Sequence, residues 1–212
     1  MSARSDAYRF LSTVYDPLTN PFLDPIRRTL CRLIARSRPA RVLDVCCGTG
    51  RLCRLLQPNC PSIAGLDLSM GMLRVARRKS PASIGYLLAD AATPSLRDRS
   101  FDALILSLAL HEKTPEAGAT VLHAGYRLLT PGGLLYILEL NAPEPSLKSR
   151  LAHAVIKGVE RAAGKEHFAC FTSFLNHGGI EGLLGRVPEL TIMERRSFRS
   201  GNLKLVVCRA GG

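Results

Sequence analysis

The sequence predicts an α/β protein built on a doubly wound, mostly parallel sheet with helices on both faces. Three observations carry this. Apolar runs of strand length alternate with helix-length segments from residue 41 to about residue 140. A glycine-bearing loop, "DVCCGTG", follows the first run, in the place where open α/β sheets hold ligands. Near the end, "LTIMERRSF" and "NLKLVVCRA" flank "RSG", a hairpin that closes the sheet with an antiparallel strand.

The segment before residue 40 reads as a helical extension. In "FLDPIRRTLCRLIAR", Ile26, Leu30, Leu33 and Ile34 form one helical stripe, and Arg28, Arg32 and Arg36 form another. Such a helix either packs on its own core with the arginines in water or lies in an anionic membrane interface. Residues 41–45 form a buried strand and 51–57 a helix ended by Pro58. "SIAGLDL" is the second strand, and Ser69 is placed to cap the helix "MGMLRVARRK". "IGYLLAD" and "FDALILSLAL" are the third and fourth strands. A helix runs from Pro115 to about Leu129, "TPGG" turns the chain, and "LLYILEL" is the fifth strand. Residues 146–163 and 170–185 read as helices. The whole chain, 1–212, is then one domain: extension 1–39, core 40–140, helical cap 141–189 and hairpin 190–210.

Composition bounds the class. Of 212 residues, 46% are hydrophobic and 22% charged, the balance of a soluble domain. The opening "MSARSDAYRF" has no apolar stretch, so no secretory signal is expected, and no run approaches the roughly 20 apolar residues of a membrane span. The seven cysteines include no C-x-x-C, so they read as reduced thiols of a cytoplasmic protein and no metal site is expected. The net charge of +12 fits either an anionic partner (nucleic acid or lipid surface) or a solvated basic face.

Three uses compete for the glycine loop. A phosphate-gripping G-x-x-x-x-G-K-[ST] is excluded, because no Lys-Ser or Lys-Thr follows. A dinucleotide G-x-G-x-x-G lacks its third glycine, where Cys53 stands. The third use is an adenosine bearing a charged thioether, without phosphate.

"VLDVCCGTG", "GLDLS", "LLADAA", "FDALILSLALHE" and "LLTPGGLLYILEL", in that order, resemble the class I S-adenosylmethionine-dependent methyltransferases. The resemblance covers about residues 40 to 140 and the terminal hairpin. It implies a seven-stranded Rossmann-like sheet. Within the class, "RLLTPGGLLYILEL" and "HFACFTSFLNHGGIEGLL" look similar to the ubiquinone/menaquinone-biosynthesis C-methyltransferases.

The resemblance implies roles residue by residue. Asp67 accepts the ribose hydroxyls, unless it is a helix-capping acid. Asp90 takes the adenine amino group, with the Ala91 amide toward the ring. Asp44, Gly48, Thr49 and Gly50 line the methionine portion, and Asp44 helps offset its positive charge. Cys46, which stands where the family usually has glycine or alanine, joins Leu68 and Met72 in the expected cofactor-binding set. Ser107 faces the cofactor's amino-acid end or bonds its own sheet. Tyr8, Phe10 and Tyr15 precede the basic helix, where such a segment can fold over the cofactor.

Methyl transfer is an in-line displacement needing alignment and, for a phenol or enol, a base. His111, with Glu112 behind it, is the expected base or acceptor-positioning group; a structural histidine at a helix start is the alternative. Glu139 and Asn141 end the fifth strand and are expected at the mouth, with His167 and His177 in the cap. No [DN]-P-P-[YFW] follows the fourth strand, which argues against amino-group methylation of adenine or glutamine, and no Pro-Cys supplies the nucleophile of cytosine methylation.

The expected partner is a small-molecule or lipid-like acceptor reached at the inner membrane face. An RNA methyltransferase is the alternative, supported by Arg74, Arg77, Arg78 and Lys79 and by Arg195, Arg196 and Arg199. Against it, aromatics are only 6% and tryptophan is absent, leaving few stacking platforms. A scaffold that binds the cofactor without turnover is the other alternative.

Overall fold

The computed structural model describes residues 4–211, with side chains from residue 19 onward; the expected lid residues Tyr8, Phe10 and Tyr15 lie outside the described side chains. Strands β1 (Arg41–Val45), β2 (Ser62–Asp67), β3 (Ile84–Leu88), β4 (Phe101–Ser107) and β5 (Leu129–Leu140) run parallel. A hairpin of β6 (Leu190–Phe198) and β7 (Leu203–Ala210) completes a seven-stranded sheet in the order β3-β2-β1-β4-β5-β7-β6. β7 is antiparallel to both neighbours. The order reverses between β1 and β4, so a crevice opens at their carboxyl ends.

Central strands of a covered parallel sheet are buried on both faces and need continuous apolar runs. "VLDV" of β1 and "ALIL" of β4 meet that need, and every residue of both runs is buried. One face of the sheet is covered by α1 (Arg4–Arg36), α2 (Arg51–Leu56) and α3 (Met70–Lys79). The other is covered by α4 (Pro115–Leu128) and α7 (Gly179–Leu184). Ser69 and Thr114 cap α3 and α4, each side-chain oxygen accepting from an amide of the first turn.

The apolar stripe of α1 goes into the core. Ile26, Leu30 and Ile34 are buried against Leu52, Leu56 and Leu73, while Arg28, Arg32 and Arg36 are exposed. Each such aliphatic side chain contributes roughly 2 kcal/mol by burial, so this stripe is unavailable to a lipid interface. The membrane use of the α1 stripe is therefore corrected.

"TPGG" does not separate helix from strand. The β4–β5 register jumps from Phe101↔Leu129 to Ala103↔Leu134, so residues 130–133 bulge within β5, with Gly132 at φ +76°. The expected helix 170–185 is also corrected. It is two helices, α6 (Lys165–Asn176) and α7, broken where Gly178 and Gly179 take φ +86° and +60°. A Cβ on Gly182 would lie 1.7 Å from the His177 carbonyl oxygen, so this corner tolerates no side chain there.

α5 (Leu147–Ala162) packs against α6 but buries little of itself. Of its residues only Ser149 is buried, and Leu147, Leu151, Val155 and Val159 form an exposed apolar stripe. Asn202, fully buried in the β6–β7 turn, anchors the helix by donating to the Ser149 carbonyl (3.0 Å) and hydroxyl (3.1 Å). No helix among the described residues is long and apolar enough to cross a membrane.

Candidate active site

The loop after β1 is shaped by three left-handed residues at alternate positions: Cys46 (φ +60°), Gly48 (+55°) and Gly50 (+68°). Glycine adopts this region freely; a residue with a Cβ does so at a cost of about 1–2 kcal/mol. Cys46 therefore stores strain where glycine would not. The Cys47 amide bonds to the Leu66 carbonyl (3.0 Å) and the Gly50 amide to the Cys47 carbonyl (3.0 Å), folding the loop back over β2.

Asp67, ending β2, joins this loop to the next. Its Oδ2 accepts from the Gly48 amide and its Oδ1 from the Ser69 amide, each at 2.8 Å. Burial raises its pKa, and the two amide bonds oppose that rise. A Cβ at Gly48 would meet nothing within 4 Å, so the loop has open space before it.

Gly50 and Gly65 are small for a different reason. A Cβ on Gly50 would stand 2.2 Å from Tyr86 Oη, and one on Gly65 would stand 2.7 Å from Cys47 Sγ and 2.8 Å from the Tyr86 ring. Tyr86, on β3, thus wedges beneath the loop, its hydroxyl 2.7 Å from Ser80 Oγ. Sequence reasoning missed Tyr86; the signal was the second glycine of "GTG" together with Gly65 in "GLDLS".

Asp44 is 2% exposed and accepts from Cys53 Sγ at 3.4 Å on α2. Burial pushes its pKa up to about 7, against the Cys53 bond and the nearby Arg27 charge. Thr49 is buried, and its carbonyl accepts from Arg54 at 2.7 Å. Arg51 reaches Asp24 instead, Nε to Oδ1 at 3.3 Å. Arg54 is therefore held on the loop's own backbone, and Arg51 on α1. Burial also raises the thiol pKa of Cys46, to about 12, and those of Cys47 and Cys53. These thiols are packing groups, not thiolate nucleophiles.

Asp90 is exposed beyond β3, its Oδ1 accepting from the Ala92 amide at 2.9 Å, and Ala91 is buried beside it. Leu68 is 71% exposed, and Met72 is buried in the first turn of α3. Ser107 is half-buried at the end of β4, followed by Leu108 at φ +55°.

The other wall of the crevice is organised by Glu139 of β5. Expected at the mouth, it is fully buried. Its Oε1 accepts from the Ala109 amide (2.6 Å) and the Leu110 amide (2.5 Å). Its Oε2 takes the Leu140 amide (3.0 Å) and lies 2.7 Å from His111 Nδ1. Burial alone would lower the pKa of His111; the facing Glu139 carboxylate outweighs it and holds the pKa at about 9. Glu139 is lowered by the reciprocal interaction, against its own burial.

His111 Nε2 lies 3.6 Å from Glu160 Oε2 of α5, and His167 Nε2 of α6 lies 2.5 Å from the same oxygen. Sequence reasoning missed Glu160. It precedes His167 by seven residues across the Gly164 corner, a separation that names no pattern. Glu112 and Lys113, on the turn after His111, are near enough for Asp67 and Cys46 to feel their charges. His177 pairs only locally, with Ser173, and Asn141 donates to the Gly201 carbonyl at 3.0 Å.

Residues 42–133 match the methyltransferase-domain family. The demethylmenaquinone methyltransferase of Thermus thermophilus is 34% identical over 122 residues, 55% of this chain and 54% of that protein. An uncharacterised methyltransferase of Mycobacterium bovis is 37% identical over 113 residues, 53% of this chain and 55% of that one. The chain spans about half the length of the curated relatives it matches. Among solved structures, the N-methyltransferase NodS of Bradyrhizobium japonicum, in complex with S-adenosylhomocysteine, superposes with a TM-score of 0.66 at 17% identity, covering 90% of this chain and 89% of that one. Over residues 42–133 the chain is similar to the methyltransferase domain, and its fold is similar to that of a solved N-methyltransferase.

Proposed function

We propose that this chain transfers a methyl group from S-adenosylmethionine to a small-molecule or lipid-like acceptor of the quinone-precursor kind. The observation that carries the donor half is the Asp67 carboxylate. Each of its oxygens accepts one backbone amide, which leaves further lone pairs for the two ribose hydroxyls, beside the open space at Gly48. The same bonds argue against a phosphate ligand. The Gly48 amide is already taken, and Arg51 and Arg54 are turned to Asp24 and the Thr49 carbonyl.

Asp67 would hold the ribose, Asp90 and Ala91 the adenine, and the loop Asp44–Gly50 with Ser107 the methionine end; Leu68 and Met72 flank the nucleoside. Bound there, S-adenosylmethionine supplies an electrophilic methyl group. Asp44, ionised, offsets the positive charge it brings. His111 stands on the acceptor side with Nδ1 tied to Glu139, so only Nε2 is offered toward Glu160 and His167. That cluster receives the acceptor's polar group, with Glu112 on the adjoining turn. The acceptor class rests on the demethylmenaquinone methyltransferases among the relatives.

Membrane contact, on this reading, uses α5 rather than α1. The exposed stripe of Leu147, Leu151, Val155 and Val159 is flanked by exposed Lys148, Arg150, Lys157 and Arg161, and the helix's single acid, Glu160, turns inward. An apolar stripe with a basic border suits an anionic lipid surface. RNA is disfavoured because Arg195 and Arg196 are paired with Glu181 and Glu194, which removes charge from that patch.

The deciding experiment incubates the protein with deuterated-methyl donor and cell extracts, lipid and polar, and follows label by mass spectrometry. Labelled product in the lipid extract is expected; none in either extract overturns the acceptor reading. In parallel, Asp67→Ala should weaken S-adenosylhomocysteine binding about 100-fold, the worth of two charge-assisted hydrogen bonds. Unchanged affinity would remove the ribose assignment.

A further inference from the structure

We infer that His111, Glu160 and His167 form a binding site for a zinc-class divalent cation at the acceptor end of the crevice. The inference rests on the reading of that cluster as the acceptor side, and it departs from the sequence, which offers no recognisable metal spacing. The three residues come from three elements: the turn after β4, α5 and α6. Their donor atoms, two imidazole nitrogens and one carboxylate oxygen, all lie within 4.8 Å of one another. Tetrahedral zinc with ligands at about 2.1 Å separates its ligand atoms by about 3.4 Å. The observed 2.5 and 3.6 Å bracket that value.

The surroundings are those a ligating histidine requires. Such a histidine donates its other nitrogen to a carboxylate or carbonyl, which fixes the tautomer and the ring. Glu139 does this for His111 at 2.7 Å, and Glu139 is itself immobilised by three backbone amides. Nδ1 is thereby committed to Glu139, and Nε2, facing Glu160, is the nitrogen that would bind the ion, which displaces its proton. The three side chains are 6%, 12% and 18% exposed, so little water competes. Two carboxylates, Glu139 and Glu160, face His111, which balances a dication. Phe171 packs edge-on against the His111 ring at 6.4 Å and closes one side.

Two histidines and one carboxylate leave a fourth coordination position, the arrangement of catalytic rather than structural zinc. The ligand for that position is an acceptor hydroxyl. It binds as its oxyanion, the proton leaving to water as the metal–oxygen bond forms, and coordination lowers the pKa at which this happens. The enolate-like oxygen of a phenolic acceptor would thus be generated at neutral pH without a side-chain base.

The test uses the full chain, stripped by chelator and titrated with zinc chloride or cobalt chloride alone. One ion per chain is expected at micromolar or tighter affinity, with the intense visible bands of tetrahedral cobalt. His167→Ala and Glu160→Gln, both at the part-exposed edge of the cluster, should each weaken binding at least 10-fold. Absence of stoichiometric binding overturns the inference, as does binding unchanged in both variants. A near-ultraviolet sulfur-to-cobalt charge-transfer band would assign the ion to cysteine and also overturn it. S-adenosylhomocysteine affinity, measured on the same samples, separates this outcome from failure of the donor site, which involves none of the three residues.

Discussion

Glu139 Oε2 and His111 Nδ1 lie 2.7 Å apart with both side chains almost wholly out of water, and the same carboxylate gathers the amides of Ala109, Leu110 and Leu140. One buried acid therefore fixes both the ring of His111 and the backbone that leads to it. Removing one partner of a buried charged pair costs roughly 3–5 kcal/mol. Glu139→Gln keeps the shape and loses the charge, so destabilisation of about 3 kcal/mol is expected in urea unfolding. Turnover should fall with it, while S-adenosylhomocysteine affinity stays within a few-fold. A variant as stable as the parent would show that the carboxylate is not the anchor.

Asp44 predicts a pH dependence. In the folded chain its carboxyl keeps its proton up to about pH 7, whereas the ordinary value is 3.8. Between those limits the folded state binds more protons than the unfolded state, so this group makes stability fall as pH rises from about 4 to about 7. The effect is on the order of 4 kcal/mol at most. A cationic ligand favours the ionised form. Donor affinity should thus rise with pH to about 7 and level off, with proton uptake by buffer seen calorimetrically below that point. Asp44→Asn should bind more weakly and show a flat profile; a sloping one would assign the proton elsewhere.

Cys46 and Gly50 offer a paired test of the loop. At Cys46, φ +60° reverses the ordinary ranking of alanine and glycine. Cys46→Gly should be more stable than Cys46→Ala by about 1 kcal/mol. At Gly50 the left-handed backbone acts together with the Tyr86 hydroxyl, which would stand 2.2 Å from an added Cβ. Gly50→Ala should cost about 2–4 kcal/mol by strain and overpacking, and Tyr86→Phe should not restore it, because the ring carbon stays at 2.8 Å. Thermal denaturation of the four variants reads both effects.

The α5 stripe predicts vesicle binding. Sedimentation with vesicles rich in phosphatidylglycerol should pull down the protein at low salt, and much less with neutral phosphatidylcholine. Leu151→Gln with Val155→Gln should abolish the pull-down without lowering stability, since both side chains are more than 60% exposed. Equal sedimentation of the double variant would place the contact on another face.

Much of the fold was legible because it is written in local patterns. "VLDV" and "ALIL" are runs that only a doubly covered strand can bury, and "RSG" between two β-type runs names its hairpin. The loop after β1 was legible through its glycines. What escaped were relationships across the chain. The stripe of α1 could equally have met lipid or core, and only the positions of α2 and α3 decide for the core. Tyr86 owes its role to two glycines, one 36 residues before it and one 21. Glu160 meets His111 from 49 residues away, and neither residue's neighbours in sequence announce the other. Glu139 looked like a polar residue at a strand end; its burial follows from the amides folded around it.

Five of the seven cysteines, at positions 31, 47, 53, 60 and 208, are buried, and no disulfide restrains any of them. Burial raises the pKa of all five thiols, away from the range in which alkylating reagents find a thiolate. They are spread over α1, the loop after β1, α2, the segment just before β2 and the interior strand β7. Differential labelling with iodoacetamide therefore turns the molecule into its own opening gauge, each thiol timing the exposure of the layer it sits in.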